Sequence, residues 1–149
     1  MATYRYTPRN YLQAHALYET HANRLSHRVV LGHQTYLERA NDIAEGAFAI
    51  RHFATRVLVF HPDGLLTLAT GGYATVSTTE RLNTFSPEEI HFRRRASTKH
   101  LVPGEITLFA PRAGSAAACV LHRFVEGDRE AIRLRRTTLG GGWTWEFDQ

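Results

Sequence analysis

Hydrophobic and polar positions first recur at the spacing of an amphipathic helix near the start of the chain. The members of this stripe are Tyr11, His15, Tyr18, Ala22 and Leu25. Just before them, Thr7 is a suitable helix cap, and Pro8 suits a first helical position because its backbone angle is already set. The pattern predicts a helix over residues 8–26 that packs its Tyr/Leu stripe on a sheet.

The spacing then changes to segments rich in β-branched and aromatic residues, which favour strands. Strands are predicted at residues 28–31, 35–38, 48–53, 56–60, 65–69, 105–109, 117–124, 131–135 and 143–147. Pro62-Asp63-Gly64 is a strong turn signal, because proline presets φ and glycine accepts a positive φ. It predicts a hairpin, and glycine-containing turns between the later strands indicate further antiparallel pairing.

Helical signals return in the middle of the chain. Ser77-Thr78-Thr79-Glu80 reads as a capping box with Ser77 as the cap, predicting a short helix over residues 78–85. Ser86-Pro87-Glu88-Glu89 reads as a second box that would place the 93–95 arginine run near a helix C-terminus, with strand as the competing interpretation. The predicted fold class is α+β: an N-terminal helix packed on a mainly antiparallel, strongly bent sheet, with one or two short central helices.

Composition narrows this picture only slightly. A chain of 149 residues with 43% hydrophobic residues suits one domain, predicted over residues 1–149, with its own core. A single cysteine excludes an intrachain disulfide, and no run reaches the ~18 apolar residues of a membrane span. The formal net charge is +4, and Lys99 is the only lysine among 18 basic residues. Arginine suits phosphate and aromatic rings, so nucleotides and nucleic acid both fit this charge.

Signals for catalysis or metal binding are weak. His15, His21, His27 and His33 recur every six residues, which scatters them around a helix instead of pairing them as metal ligands. Cys119 and His122 point to opposite faces of a predicted strand, and no Gly-x-Ser-x-Gly motif occurs. The acidic residues fall at caps and turns. The sequence therefore favours a binding protein over an enzyme and indicates no catalytic residue, metal ligand or cofactor.

A phosphate-binding site is the stronger candidate. Gly71-Gly72, the threonines that follow and a helix N-terminus would bring together backbone N–H groups, hydroxyls and a positive dipole end. The candidate ligand-binding residues supply an aromatic ring for base stacking, hydroxyl groups, and cationic or polar side chains. They are Tyr73, Thr75, Thr78, Thr79, Arg81, Asn83, Arg133 and Arg135. The alternative is purely structural: a glycine-broken strand that enters a well-capped helix with a surface arginine.

The same region carries a family resemblance. The matching positions are Thr35-Tyr36-Leu37, Thr55, Val57, Phe60, Asp63-Gly64, Thr67-Leu68, Gly71-Gly72, Thr75-Val76, Thr78, Arg81 and Asn83. Together they resemble the DGxxTLxxGGWxTVTTKxRxN-type segment of a widespread family of small proteins encoded by tailed bacteriophages. This chain departs from the pattern at three positions. Tyr73 stands where the family has tryptophan, and Thr79 stands where it has lysine. Phe53 stands where the family has histidine, although His52 is adjacent.

The resemblance implies a phage protein acting in the cytoplasm of an infected bacterium. The leading hypothesis is a non-enzymatic accessory protein that binds an anionic nucleotide-type ligand, sequestering a cyclic-nucleotide or ADP-ribose-type signal of host antiviral defence. In that hypothesis Arg81 contacts phosphate and Tyr73 stacks on a base. A DNA- or RNA-binding module that uses residues 93–95 and 133–136, or a protein inhibitor of a host enzyme, remain the alternatives. No membrane partner is expected, and a homo-oligomer stays open.

Overall fold

The computed structural model describes residues 3–98, 101–112, 117–139 and 142–148. Within them the chain forms two helices and ten strands. In chain order these are α1 (Tyr11–His21), β1 (Arg28–Gly32), β2 (Thr35–Arg39), β3 (Phe48–His52), β4 (Thr55–Phe60), β5 (Leu66–Leu68), α2 (Val76–Phe85), β6 (His91–Arg95), β7 (Glu105–Pro111), β8 (Ala118–Val125), β9 (Ile132–Leu139) and β10 (Gly142–Phe147). Neither helix is long and apolar enough to cross a membrane.

The strands form two sheets, and every pairing in the described part of the chain is antiparallel. A seven-stranded sheet has the order β1-β2-β3-β4-β5-β9-β10, and a three-stranded sheet has the order β6-β7-β8. The α+β class and the N-terminal helix are confirmed. The three-stranded sheet is inserted in the chain between β5 and β9, so the predicted single sheet is in fact two.

One hydrophobic core joins the two sheets and both helices. Its largest fully buried side chains include Phe48 of β3, Phe85 of α2 and Phe124 of β8. The Tyr4 ring meets Phe85 edge-on, with ring centroids 5.0 Å apart. Helix α2 contacts β3, β4 and β6, so its position is set by both sheets. This packing fixes where the N-terminus of α2 emerges at the surface.

The helix boundaries differ from the predicted ones because other residues act as caps. Asn10 caps α1 by accepting the N–H of Gln13 at 2.9 Å, so Thr7-Pro8 lies outside the helix. Helix α1 ends at His21, since Ala22 is extended. Thr75, not Ser77, caps α2 by accepting the N–H of Thr78 at 3.2 Å. Because the cap lies two residues before the predicted one, the Ser77 hydroxyl has no capping role.

The predicted second central helix is wrong. Ser86 ends α2, donating its N–H to the Leu82 carbonyl at 3.1 Å, and the chain then turns into strand β6. The Asn83 side chain explains this choice, because it bonds both backbone groups of Phe92 and holds that residue beside the helix. Phe92 is buried while Arg93 is exposed, the alternation of a strand with one packed face.

The predicted hairpin at Pro62-Asp63-Gly64 is confirmed. It joins β4 to β5, with Leu58 paired to Leu68 and Phe60 to Leu66. Asp63 stabilises the turn by accepting the N–H of Leu65 at 3.1 Å. Predicted turns at residues 112–114 and 140–142 fall largely outside the described residues.

A half-buried ion-pair network crosses β2, β3 and β4. The Glu38 carboxylate accepts hydrogen bonds from Arg51 and Arg56, and Arg56 also pairs with Asp42 at 2.7 Å. Burial raises the pKa of Glu38, but the hydrogen bonds and charges of Arg51 and Arg56 outweigh burial and hold its pKa below the ordinary value of 4.5. The ionised carboxylate therefore stabilises the folded sheet.

Replacing Glu38 with glutamine should lower the free energy of unfolding at pH 7 by about 1–2 kcal/mol, because two half-buried guanidinium groups lose a charged acceptor. Since the folded-state pKa is depressed, the contribution is complete above about pH 4.5 and is lost as the pH falls through that lower pKa. Urea unfolding of both proteins from pH 7 to pH 3 should show the difference shrinking. Glu19→Gln, an exposed pair with Arg39, should change stability by under ~0.5 kcal/mol.

Candidate functional site

A tight turn over residues 70–73 follows β5 and positions the candidate site. The Tyr73 N–H donates to the Thr70 carbonyl at 3.2 Å, and the Gly72 N–H donates to the Thr70 hydroxyl at 3.3 Å. Gly71 has a φ of +66°, which a residue with a side chain rarely adopts. The turn leaves the Tyr73 ring 57% exposed beside the first residues of α2.

Hydroxyl groups cluster where α2 begins. Thr75 Oγ1 accepts the Thr78 N–H and donates to Thr78 Oγ1 at 3.0 Å. Ser77 Oγ lies 3.3 Å from Thr75 Oγ1. The backbone N–H groups of Val76 and Ser77 have no acceptor among the described residues, as is usual for the first turn of a helix. This helix end therefore offers hydroxyls, free amides and the positive end of the helix dipole.

Arg129 reaches the same place from the loop between β8 and β9. The Gly127 N–H donates to the Gly72 carbonyl at 2.9 Å, which ties this loop to the turn over residues 70–73. The Arg129 side chain is exposed and has no hydrogen bond or ion pair within the described part of the chain. It is a guanidinium group available to an anion.

These elements enclose a cavity of about 720 Å³, here called the Tyr73 pocket. The β3–β4 turn completes its wall, with the Phe53 ring 57% exposed. Its lining includes His52, Phe53, Tyr73, Thr75, Ser77, Thr78 and Arg129. Of the residues predicted from sequence, Tyr73, Thr75 and Thr78 thus lie together in one cavity.

A buried histidine forms part of the wall of the Tyr73 pocket. His52, at the end of β3, is 5% exposed, and its Nε2 lies 3.2 Å from Ser77 Oγ. Its Nδ1 lies 3.3 Å from the Gln34 carbonyl oxygen in the β1–β2 turn. Burial lowers the pKa of His52, and the positive charge of Arg81 lowers it further. The ring is therefore neutral at neutral pH.

Arg81 does not line the Tyr73 pocket. Its side chain is 5% exposed and crosses to the β1–β2 turn, donating to Thr35 Oγ1 at 3.1 Å and to the His33 carbonyl at 3.0 Å. Its guanidinium carbon also lies 5.6 Å from the centre of the Tyr4 ring. In this structure the guanidinium group is used to fix α2 against the seven-stranded sheet.

Asn83 and Thr79 are also occupied by contacts within the fold. Asn83 donates to the Phe92 carbonyl at 3.0 Å and accepts the Phe92 N–H at 2.7 Å, so its amide joins α2 to β6. The Thr79 hydroxyl donates to the Thr75 carbonyl at 2.8 Å inside the helix. Neither side chain lines the Tyr73 pocket.

Arg133 and Arg135 lie elsewhere, on β9. Both bond the Asp148 carboxylate, Arg133 at 2.7 Å and Arg135 at 3.3 Å, and Arg135 also pairs with Asp63. These contacts hold the pKa of Asp148 below its ordinary value, with the Arg133 hydrogen bond as the largest cause. Arg135 borders a separate cavity of about 550 Å³ beside Trp143. The structure does not bring these arginines to the Tyr73 pocket.

The arginines of a nucleic-acid surface are split between the two sheets. On β6, Arg94 donates to the Ala74 carbonyl at 2.8 Å, and Arg95 lies 3.6 Å from Glu105. On β9, Arg136 pairs with Glu89 at 3.0 Å and lies over the Trp143 ring. These side chains are engaged within the protein, and the β6 arginines lie in a different sheet from the arginines of β9.

A wider depression of about 960 Å³ is lined by residues of α1, β1, β2 and β3. Its charged side chains already have partners: Glu38 pairs with Arg51, Arg39 pairs with Glu19, and Arg28 lies over the Tyr36 ring. Within the described residues no three His, Cys, Asp or Glu side chains could hold a metal ion together. The Tyr73 pocket is therefore the best-equipped cavity for a small anionic ligand.

Sequence reasoning missed four contributors to this pocket, Phe53, Ser77, His52 and Arg129. The sequence pattern predicts a capping role for Ser77, which Thr75 performs. His52 and Arg129 are brought to α2 only by tertiary contacts, between β3 and the helix and between Gly127 and Gly72. Comparisons of the chain with protein-family models, with curated proteins and with solved structures found no match.

Proposed function

We propose that the Tyr73 pocket binds an anionic nucleotide-type ligand. One observation carries the proposal: a single cavity is bordered by a guanidinium without a partner among the described residues, by a helix N-terminus whose first amides have no acceptor there, and by two half-exposed aromatic rings. Aromatic faces stack on bases without sequence preference. Guanidinium groups and helix N-termini are the usual protein partners of phosphate.

Each part of the ligand has a counterpart in this arrangement. A phosphate beside Arg129 would lie next to the turn over residues 70–73, and the hydroxyls of Thr75 and Thr78 would face its oxygens or a ribose. The base would lie against Tyr73 or Phe53. In a phage protein, which the sequence resemblance suggests, such a pocket would hold a cyclic-nucleotide or ADP-ribose-type signal of host defence.

Isothermal titration calorimetry with AMP, ADP-ribose and cyclic mono- and dinucleotides tests the proposal. At least one should bind with a Kd of tens of micromolar or tighter. Tyr73→Ala should weaken that binding at least about tenfold, because stacking contributes about 1–3 kcal/mol per base. Arg129→Ala should weaken it similarly, because phosphate loses its charged hydrogen-bond donor.

Arg133→Ala is the matched control, since it removes an exposed arginine away from the pocket and Asp148 keeps Arg135 as a partner. It should leave nucleotide affinity unchanged. No binding across the panel, or equal losses in the Arg129 and Arg133 variants, would overturn the proposal. Tight binding to oligonucleotides with a steep salt dependence would instead favour the nucleic-acid alternative.

A further inference from the structure

The contact between His52 and Ser77 has a defined proton arrangement. The Gln34 carbonyl accepts the N–H of Phe53 at 2.9 Å and lies 3.3 Å from His52 Nδ1. A carbonyl oxygen can only accept, so the proton of the neutral ring is on Nδ1. His52 Nε2 is then an acceptor, and Ser77 Oγ, 3.2 Å away, can donate to it.

The neighbouring hydroxyls leave the Ser77 proton two acceptors. Thr75 donates its only hydroxyl proton to Thr78 Oγ1 at 3.0 Å. Ser77 can therefore donate either to Thr75 Oγ1 at 3.3 Å or to His52 Nε2 at 3.2 Å, and attack by Ser77 uses the bond to His52. Ser77 is not needed as the helix cap, which is Thr75. Its hydroxyl borders the Tyr73 pocket, where a ligand can reach it. A serine hydroxyl, a histidine base and a group that orients the base form the arrangement that activates serine nucleophiles.

The environment keeps the base neutral and suits the negative charge that such chemistry creates. His52 is buried and neutral, so it is available as a base at neutral pH. The free N–H groups of Val76 and Ser77 belong to the same helix end as Ser77 Oγ and can stabilise an oxyanion that forms beside it. The positive end of the α2 dipole acts in the same direction.

The geometry points to a serine esterase dyad: Ser77 as nucleophile and His52 as general base, acting on carboxylic esters in the Tyr73 pocket. Ser77 Oγ attacks the ester carbonyl carbon and passes its proton to His52 Nε2. The bond to the alcohol oxygen then breaks, His52 returns the proton to that oxygen, and acyl-Ser77 remains. Water, deprotonated by His52, releases the carboxylic acid and restores Ser77. The Gln34 carbonyl is a positioning group that holds the ring.

A fluorophosphonate probe tests the dyad on the full chain, because attack by Ser77 on phosphorus expels fluoride and leaves a stable adduct. Intact mass and peptide mapping should show one adduct at Ser77. Ser77→Ala should abolish it, and His52→Gln should slow it by about 100-fold or more, as expected for loss of a general base. Ser26→Ala, an exposed serine away from the pocket, should label as the wild type does.

Two readouts separate a base from a merely structural histidine. The labelling rate should rise with pH around a midpoint below 6.5, the ordinary pKa of histidine, because only neutral His52 accepts a proton. If the His52→Gln variant does not fold, the Ser77→Cys variant serves as the test instead. Its thiol should react with iodoacetamide with an apparent pKa well below the ~8.5 of a free cysteine, because a protonated His52 stabilises the thiolate.

Absence of a Ser77 adduct, or an adduct rate independent of His52, would overturn the dyad, as would an ordinary thiol pKa in Ser77→Cys. The probe carries no nucleotide, so these outcomes are independent of the proposed ligand. Nucleotide binding without labelling would overturn the dyad alone. Labelling without nucleotide binding would overturn the ligand class alone, and protection of Ser77 by a bound nucleotide would support both.

Discussion

Replacing Arg81 with alanine should lower the free energy of unfolding by about 3 kcal/mol. The substitution removes the charged donor of the fully buried Thr35 hydroxyl and one of the two donors that the His33 carbonyl has among the described residues, leaving it only Thr35 Oγ1 at 2.8 Å. Hydrogen bonds to charged groups are worth about 1.5–3 kcal/mol each. The substitution also removes the guanidinium group that lies over the Tyr4 ring. Urea unfolding with linear extrapolation at pH 7 measures the change.

Arg129→Ala is the control for this prediction, because it removes an exposed arginine that has no partner in the part of the chain that the structure describes. It should change stability by no more than ~0.5 kcal/mol while weakening nucleotide binding. Arg81→Ala should have the opposite effect: it should lower stability strongly, but it removes no group that lines the pocket. If Arg81→Ala leaves stability unchanged, the guanidinium does not fix the helix as the structure indicates.

The contrast between these two arginines shows how far the sequence alone can lead. Strand and helix periodicity located most of the elements, and the Gly71-Gly72 break before a capped helix located the pocket. Periodicity could not tell that Arg81 points inward, because a surface position on an isolated helix becomes buried once the β1–β2 turn packs on it. Nor could it find Arg129, which depends on the hydrogen bond between Gly127 and Gly72.

The cap of α2 also shows what the sequence alone cannot predict, here among residues only two positions apart. Thr75 and Ser77 both have hydroxyls that suit a helix cap, and Glu80, three residues after Ser77, favours Ser77 in the sequence pattern. In the structure His52 lies 3.2 Å from Ser77 Oγ, and Thr75 caps instead. Asn83 likewise reads as a polar residue near a helix end, although its role is to hold the backbone of Phe92. Local sequence patterns thus identify the residues near the helix ends, but tertiary contacts decide which of them caps the helix and which binds a neighbouring strand.

The turn that forms the floor of this site provides the second large stability effect. A β-carbon added at Gly71 would lie 2.5 Å from Thr55 Oγ1 and 2.8 Å from its methyl carbon. Thr55 is β-branched and opens strand β4, so it can move little without disturbing the strand. Gly71→Ala should cost about 3 kcal/mol, combining a left-handed backbone penalty of about 1–2 kcal/mol with overpacking.

Gly64 provides the matched control for this effect. It has a φ of +90°, and a β-carbon there would meet nothing within 4 Å. If backbone conformation alone mattered, Gly64→Ala at +90° should cost at least as much as Gly71→Ala at +66°. We expect the reverse order in urea unfolding, with Gly64→Ala costing only the backbone penalty. Adding Thr55→Ala to Gly71→Ala should recover about 1–2 kcal/mol, because the two crowded atoms are removed. Additive losses in that double variant would show that Thr55 is not the obstacle to a side chain at position 71.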